Sequence, residues 1–282
     1  MGPLNVPLYR FGLHWLPTFL DEVARTAKPE PWGSRMKTLE LYLRANDEIA
    51  ARQSKVHEDP SLGIAFWRAG SLVSLTSDPL WLVYERNWRA QPFWRFREVA
   101  VGRPPECVDL GDLTLEYTPP AFHRDWPIHF QQGSLDHIMG SDPNRARLQL
   151  VLREALDHFS EHLVLRAIYG EVQLKRKEEA VIAQWYRGDY QFLMPLHLTQ
   201  PERVELTAVL QPDPPMERYI VRTLLLPHYA YAYVRAVAKS RDGVPDGMLL
   251  ADKDLVPLDA QEKDTCCTTQ SRSCMGRRPW PV

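Results

Sequence analysis

The chain has 282 residues, of which 44% are hydrophobic and 25% charged, with a formal net charge of −2. That profile excludes a wholly disordered chain, a collagen-like fibre and a histone-like basic protein. No apolar run approaches the roughly 18 residues needed to cross a bilayer, so no membrane partner is expected.

The first ten residues lack the charged start and unbroken apolar core of a secretory signal. Thr18–Thr26 reads as a short helix with Phe19, Leu20, Val23 and Ala24 on its apolar side. Lys28-Pro29-Glu30-Pro31 ends it, because proline supplies no helical N–H. A second helix spans Met36 to about Gln53, with Leu39, Tyr42, Leu43 and Ile49 at helical spacing. Gly63–Trp67, Ser71–Leu75, Trp81–Arg86 and Phe93–Val99 are short, aromatic and β-branched, and read as antiparallel strands. Residues 104–144 are irregular, with one further strand expected at Leu113–Tyr117. A long helix is expected from Arg145 to about Tyr169, with Leu148, Leu152, Ala155, Phe159 and Leu163 as its core stripe. Ala180–Tyr186 and Tyr190–Leu198 form a hairpin around Arg187-Gly188-Asp189. Val204–Leu210 and Arg218–Leu226 follow, and Tyr229–Ala238 closes as a helix. Consecutive strands with short links imply a four-stranded antiparallel sheet with helices on one face.

The expected fold class is therefore α+β. Residues 8–144 form N-terminal helices and a small antiparallel sheet, and residues 145–240 the long helix, the second sheet and the closing helix. From about Gly243 the sequence is polar and aperiodic, so 243–282 is expected to be a disordered tail. The four cysteines are Cys107, Cys266, Cys267 and Cys274. They form no disulfide framework, and a reducing cytoplasm is the expected compartment. The tail cysteines lack paired C-x-x-C spacing and a nearby histidine, so no metal and no cofactor is expected.

Charge is unevenly placed. Residues 61–103 carry six basic and three acidic residues, whereas 104–144 carry one basic and seven acidic. The two stretches either pair within the fold or form faces with different partners. Arginine outnumbers lysine 26 to 8, and its planar fork suits phosphate recognition.

Several ordered blocks carry a resemblance. They are Ala27-Lys28-Pro29-Glu30-Pro31-Trp32, Leu39-Glu40-Leu41-Tyr42-Leu43, and Ala65-Phe66 with Gly70. Further on come Tyr84-Glu85-Arg86-Asn87 with Gln91-Pro92-Phe93-Trp94, the pair His137-Ile138, and Gln184-Trp185-Tyr186-Arg187-Gly188 running into Gln191-Phe192-Leu193-Met194-Pro195-Leu196. Over about residues 8–238 the chain resembles the bacterial and fungal family called domain of unknown function 3825. Its final block departs from the family pattern: His228 replaces an acidic residue, and Ala232 and Tyr233 replace two asparagines. The resemblance implies a link to RNA metabolism, since members occur beside predicted RNA-binding modules.

Four groups of residues are candidates for chemistry. Trp81–Arg97 interleaves aromatic rings with arginines, the composition of a single-strand binder that stacks bases and neutralises phosphates. Strand alternation puts Phe93, Arg95 and Arg97 on one face and Trp94 and Phe96 on the other. The Gln184–Gln191 hairpin could present donors to a base or phosphate. His158-Phe159-Ser160-Glu161-His162 matches H-x-x-E-H, which on a helix puts two histidines one turn apart for zinc. His123, Asp125, His129, Asp136 and His137 could form a metal or acid–base site. Phosphate loops, dinucleotide turns and nucleophile elbows are absent from the sequence.

The leading expectation is a non-enzymatic domain associated with single-stranded RNA. Its binding set is Arg86, Trp88, Arg89, Trp94, Arg95, Gln184, Tyr186, Arg187, Gln191 and Arg235, with no catalytic residue assigned. The alternatives are a metal-dependent hydrolase of phosphoesters or nucleotides, and a scaffold whose aromatic surface meets a protein partner.

Overall fold

Helix α1, Pro17–Thr26, buries Phe19, Leu20 and Val23 along one side. Its last turn closes with the Ala27 amide donating to Val23, and the chain then bridges from Ala27 to Ser74. Helix α2, Lys37–Arg52, buries the expected stripe of Leu39, Tyr42, Leu43 and Ile49. The structure is a computed structural model that describes residues 17–30, 32, 36–59, 61–87, 94–104, 112–131, 138, 148–149, 152, 157–176, 181–186, 188–199 and 202–238. The tail expected at 243–282 lies outside them.

The first sheet is antiparallel, in the order β1 (His57–Asp59), β2 (Ile64–Val73), β3 (Pro79–Arg86) and β4 (Trp94–Val101). The two strands expected at 63–67 and 71–75 are one, β2. Gly70, at φ +60°, bends it between Arg68 and Val73, where its register against β3 shifts. A glycine takes that angle without strain, so the strand continues instead of ending. Edge strand β4 is covered by α1: Phe19 meets the edge of the Phe96 ring, and Glu22 accepts the Val99 amide at 2.9 Å. An otherwise unpaired edge donor is thereby satisfied.

Leu113–Tyr117 is not a strand. It runs as a strap across the end of α2, and the Gln53 side chain both accepts from the Glu116 amide (2.9 Å) and donates to its carbonyl (2.5 Å). The side-chain amide thus takes the place of a neighbouring strand's peptide group. Lys55 donates to the Asp112 carbonyl, Arg68 to Thr114 Oγ1, and the Thr118 amide to Tyr190 Oη. Leu115 is buried beneath.

The second sheet has five strands, not four, in the order β5 (Ile128–Phe130), β9 (Arg218–Leu225), β8 (Leu206–Asp213), β7 (Asp189–Leu196) and β6 (Ile182–Tyr186). The unexpected β5 is only three residues long and pairs parallel to β9. Helices cover both faces of this sheet rather than one. Leu193 and Val209 pack with helix α4, Pro227–Val237, while Phe192, Met194 and Leu210 pack with helix α3, Glu161–Lys175. The physical reason lies in β7, where every residue from Gln191 to Leu196 is buried; such a run must be covered on both sides.

The single helix expected from Arg145 to Tyr169 is broken. Ser160 is extended (φ −63°, ψ 148°) and α3 begins at Glu161, ending six residues beyond the expected stop. The break resets the helical phase. Val164, Ile168 and Val172 become the buried stripe, and Phe159 and Leu163 turn outward. Of the stretch before it, residues 148, 149, 152, 157 and 158 are described, and all are helical.

Helix α4 packs on both α2 and β6. One core cluster accordingly mixes Leu39, Leu43 and Trp67 from the N-terminal part with Leu193, Val209, Tyr231 and Val234 from the C-terminal part. A second cluster fills the space between α3 and the second sheet.

Candidate functional site

The densest polar arrangement among the described residues lies where α4 meets α2 and the bend of β2. Arg235 projects from the last turn of α4 and forms a two-pronged pair with Glu30: Nε to Oε2 at 2.9 Å and Nη2 to Oε1 at 2.8 Å. Both side chains are buried, at 3% and 7% exposure. Tyr231, one helical turn earlier, donates to the same Glu30 Oε2 at 2.9 Å. The remaining prong of Arg235 donates to Ser71 Oγ (2.5 Å) and to the Ala238 carbonyl (3.1 Å). Its guanidinium lies 5.5 Å from the Tyr42 ring.

Tyr42 extends the network. Its hydroxyl donates to the Ala69 carbonyl and accepts the Ser71 amide at 2.9 Å, so it straddles Gly70. A Cβ at Gly70 would collide with Tyr42 Oη and Asn46 Oδ1. Asn46 donates to the Tyr42 carbonyl and accepts from Tyr117 Oη at 2.6 Å, which ties the strap to the same centre. Burial raises the pKa of Tyr42 and of Tyr117, with Arg235 opposing it in each case. Burial alone would lower the Arg235 pKa. The hydrogen bond to Glu30 and the charge of that carboxylate raise it instead, so the guanidinium stays charged.

Chemically, this is a clamp. Glu30 accepts three hydrogen bonds, and the phenol of Tyr42 is engaged both as donor and as acceptor. Neither group is placed as a general base or nucleophile, which needs an open reaching distance to a reacting atom.

Two further polar features lie among the described residues. Gln184, Gln191 and Gln211 form a row across β6, β7 and β8, linked Nε2 to Oε1 at 2.9 Å and 2.8 Å. Gln184 is buried and its Oε1 has no partner. Asp47, on the buried side of α2, accepts from Trp67 Nε1 at 2.5 Å, while its Oδ2 is buried without a partner. Trp67 in turn stacks on Tyr84, with ring centres 4.4 Å apart. Burial pushes the Asp47 carboxyl up to about 8, against the hydrogen bond from Trp67 and the charge of Arg44.

The expected RNA-binding set is dispersed. Trp94 is 5% exposed and belongs to the core, so its ring has no free face for a base. Gln184 and Gln191 face each other, not solvent, and Arg235 is held by Glu30. These four differ from the surface expected from the sequence: Trp94 completes the core, Gln184 and Gln191 satisfy each other, and Arg235 is paired with Glu30. Tyr186 is half-buried and meets the Tyr233 ring edge-on at 5.3 Å. Arg86 ends β3 opposite Trp94 and is also half-buried. Arg95 is exposed and pairs with Glu85; Arg97 pairs with Glu98 at 3.2 Å. These two pairs are internal to the basic stretch. Trp88, Arg89 and Arg187 lie outside the described residues.

The metal candidates fare differently. The break at Ser160 separates His158 from Glu161 and His162, so the two histidines are not one turn apart on a continuous helix. His123 stacks on Trp126 and His129 is exposed on β5; Asp136 and His137 lie outside the described residues. Among the described residues, no group of three His, Cys, Asp or Glu side chains is placed to hold a metal ion.

Glu30, Tyr42, Asn46, Asp47, Ser71, Tyr117 and Tyr231 were not candidates from the sequence. Signals existed for some. Glu30, Tyr42 and Gly70 fall within the blocks that carried the resemblance, and Asp47 is an acidic residue on the apolar stripe of its helix, four places after Leu43. Comparison with family models, with curated proteins and with solved structures gives no match to this chain.

Proposed function

We propose that the chain is a non-enzymatic binding domain that contacts single-stranded RNA through the solvent-facing side of strand β4. The observation that carries this reading is the alternation along β4. Trp94 and Phe96 turn into the core while Arg95 and Arg97 turn to solvent, on the edge strand of the sheet. Two guanidiniums at an i, i+2 spacing on one face suit successive phosphates of an extended strand. Their partners Glu85 and Glu98 orient them, and exposed pairs of this kind are readily exchanged for phosphate. The segment joining β3 to β4 carries Trp88 and Arg89, which supply stacking and charge in this reading.

The domain's buried polar residues support binding over catalysis, because Glu30, Tyr42 and Arg235 are engaged with one another. The test is fluorescence anisotropy of the full chain with mixed-sequence single-stranded RNA. Binding at low salt that weakens steeply as salt rises is expected, in proportion to the phosphates neutralised. No binding at low salt overturns the reading.

A further inference from the structure

Helix α3 is the one place among the described residues where an apolar stripe faces solvent along several turns. Its core side is Val164, Ile168 and Val172. On a different side lie Leu163 (50% exposed), Ala167, Gly170 and Leu174 (57% exposed), and Phe159, also exposed, precedes them. The spacing from 163 to 167 to 170 to 174 is four, three, four. That is the a/d seam of a coiled coil, about 16 Å long.

We infer that this seam is an interface between two copies of the chain, related by a two-fold axis running along α3, so that the two helices pair in parallel. The charges beside the seam select this arrangement. With Leu163 at a d position, Arg166 falls at g and Glu171 at e, five residues later. In a parallel pair each g residue meets the e residue five places on in its partner. Arg166 therefore meets the partner's half-buried Glu171, whose Oε1 also accepts the His197 amide at 3.4 Å within its own chain, and symmetry repeats the pair. An antiparallel pair aligned on the same four layers would set Arg166 against Gln173 and Glu171 against Val164, with no ion pair.

Gly170 supplies an independent argument. It sits inside an exposed helix, where glycine is unfavourable. A Cβ there meets nothing within 4 Å, so none of the described residues of the monomer requires the missing side chain. Close approach of a second helix does require it, with Ala167 forming the adjoining layer. A four-layer seam with two small layers buries less than a stable obligate interface. The association is accordingly weak and dependent on concentration. This inference is independent of RNA binding.

Sedimentation velocity of the nuclease-treated full chain, run across the micromolar range, tests it. A reversible monomer–dimer equilibrium is expected. Gly170→Arg, at an open position, leaves the thermal melt in place and weakens dimerisation roughly tenfold or more. Arg166→Glu and Glu171→Arg each weaken it, and the two together restore it, a rescue that a merely destabilised fold does not give. A wild-type chain that stays monomeric throughout overturns the inference. So does a dimer indifferent to Gly170→Arg or to the charge exchange.

Discussion

Glu30 and Arg235, 205 positions apart in the chain, meet as a two-pronged buried ion pair at 2.8 and 2.9 Å. Glu30 stands between two prolines after α1, and Arg235 stands in the last turn of the last helix. Their contact fastens the two ends of the described chain across α2 and the bend of β2.

Removing either member leaves a buried, uncompensated charge. Glu30→Gln is expected to lower stability by about 3–5 kcal/mol, and Arg235→Lys by less, because lysine keeps the charge but cannot make the planar two-pronged contact. Urea denaturation of the two variants checks this, and a midpoint unchanged in either variant would contradict the clamp.

Gly70→Ala should destabilise by about 2 kcal/mol or more. The substitution meets both a φ of +60° and a collision with Tyr42 and Asn46. Thermal melting reads the effect. Gly102→Ala shares a positive φ, but a Cβ there meets open space, so it should cost less than Gly70→Ala.

Asp47 gives a pH dependence of definite sign. Its pKa rises from an ordinary 3.8 to about 8 on folding. Below 3.8 both states hold the proton, and the contribution to stability is fully present. As pH rises the unfolded state ionises first, and the contribution is lost progressively until the folded carboxyl ionises near 8. Asp47→Asn keeps an acceptor for Trp67 and cannot ionise. The variant should match the wild type near pH 4 and exceed it by a few kcal/mol near pH 8. Denaturation midpoints at the two pH values decide it; parallel shifts at both would contradict the assignment.

Trp94 and its neighbours separate a core role from a binding role. Trp94→Ala is expected to cost about 3–5 kcal/mol of stability. Arg95→Ala with Arg97→Ala should leave the melting temperature nearly unchanged and weaken RNA binding, with a shallower salt dependence. Paired melting and anisotropy measurements distinguish the two. A double arginine variant with wild-type RNA affinity would remove the proposed surface.

Much of the fold is legible in local pattern. The helical spacing of Leu39, Tyr42, Leu43 and Ile49 locates α2, and the apolar strands separated by Gly, Asp and Pro locate β3, β4, β6, β7, β8 and β9. What local pattern misses are elements defined by partners. Strand β5 has three residues and exists through its parallel pairing with β9. The strap at 112–118 looks like a strand, yet its hydrogen bonds go to side chains such as Gln53. Gly70 looks like a strand terminator and acts as a bend.

The site divides in the same way. Alternation along β4 is enough to put Arg95 outward and Trp94 inward, because side-chain direction in a strand has a period of two. By itself the sequence determined an α+β chain, its helical and strand periods, and the sides of β4. Only the tertiary structure decided that Glu30, Tyr42, Ser71, Tyr231 and Arg235 share one centre. It also decided that Gln184 and Gln191 face each other, and that a break at Ser160 turns Leu163 outward. Such contacts depend on which faces are covered and on pairs far apart in the chain, and neither leaves a local period in the sequence.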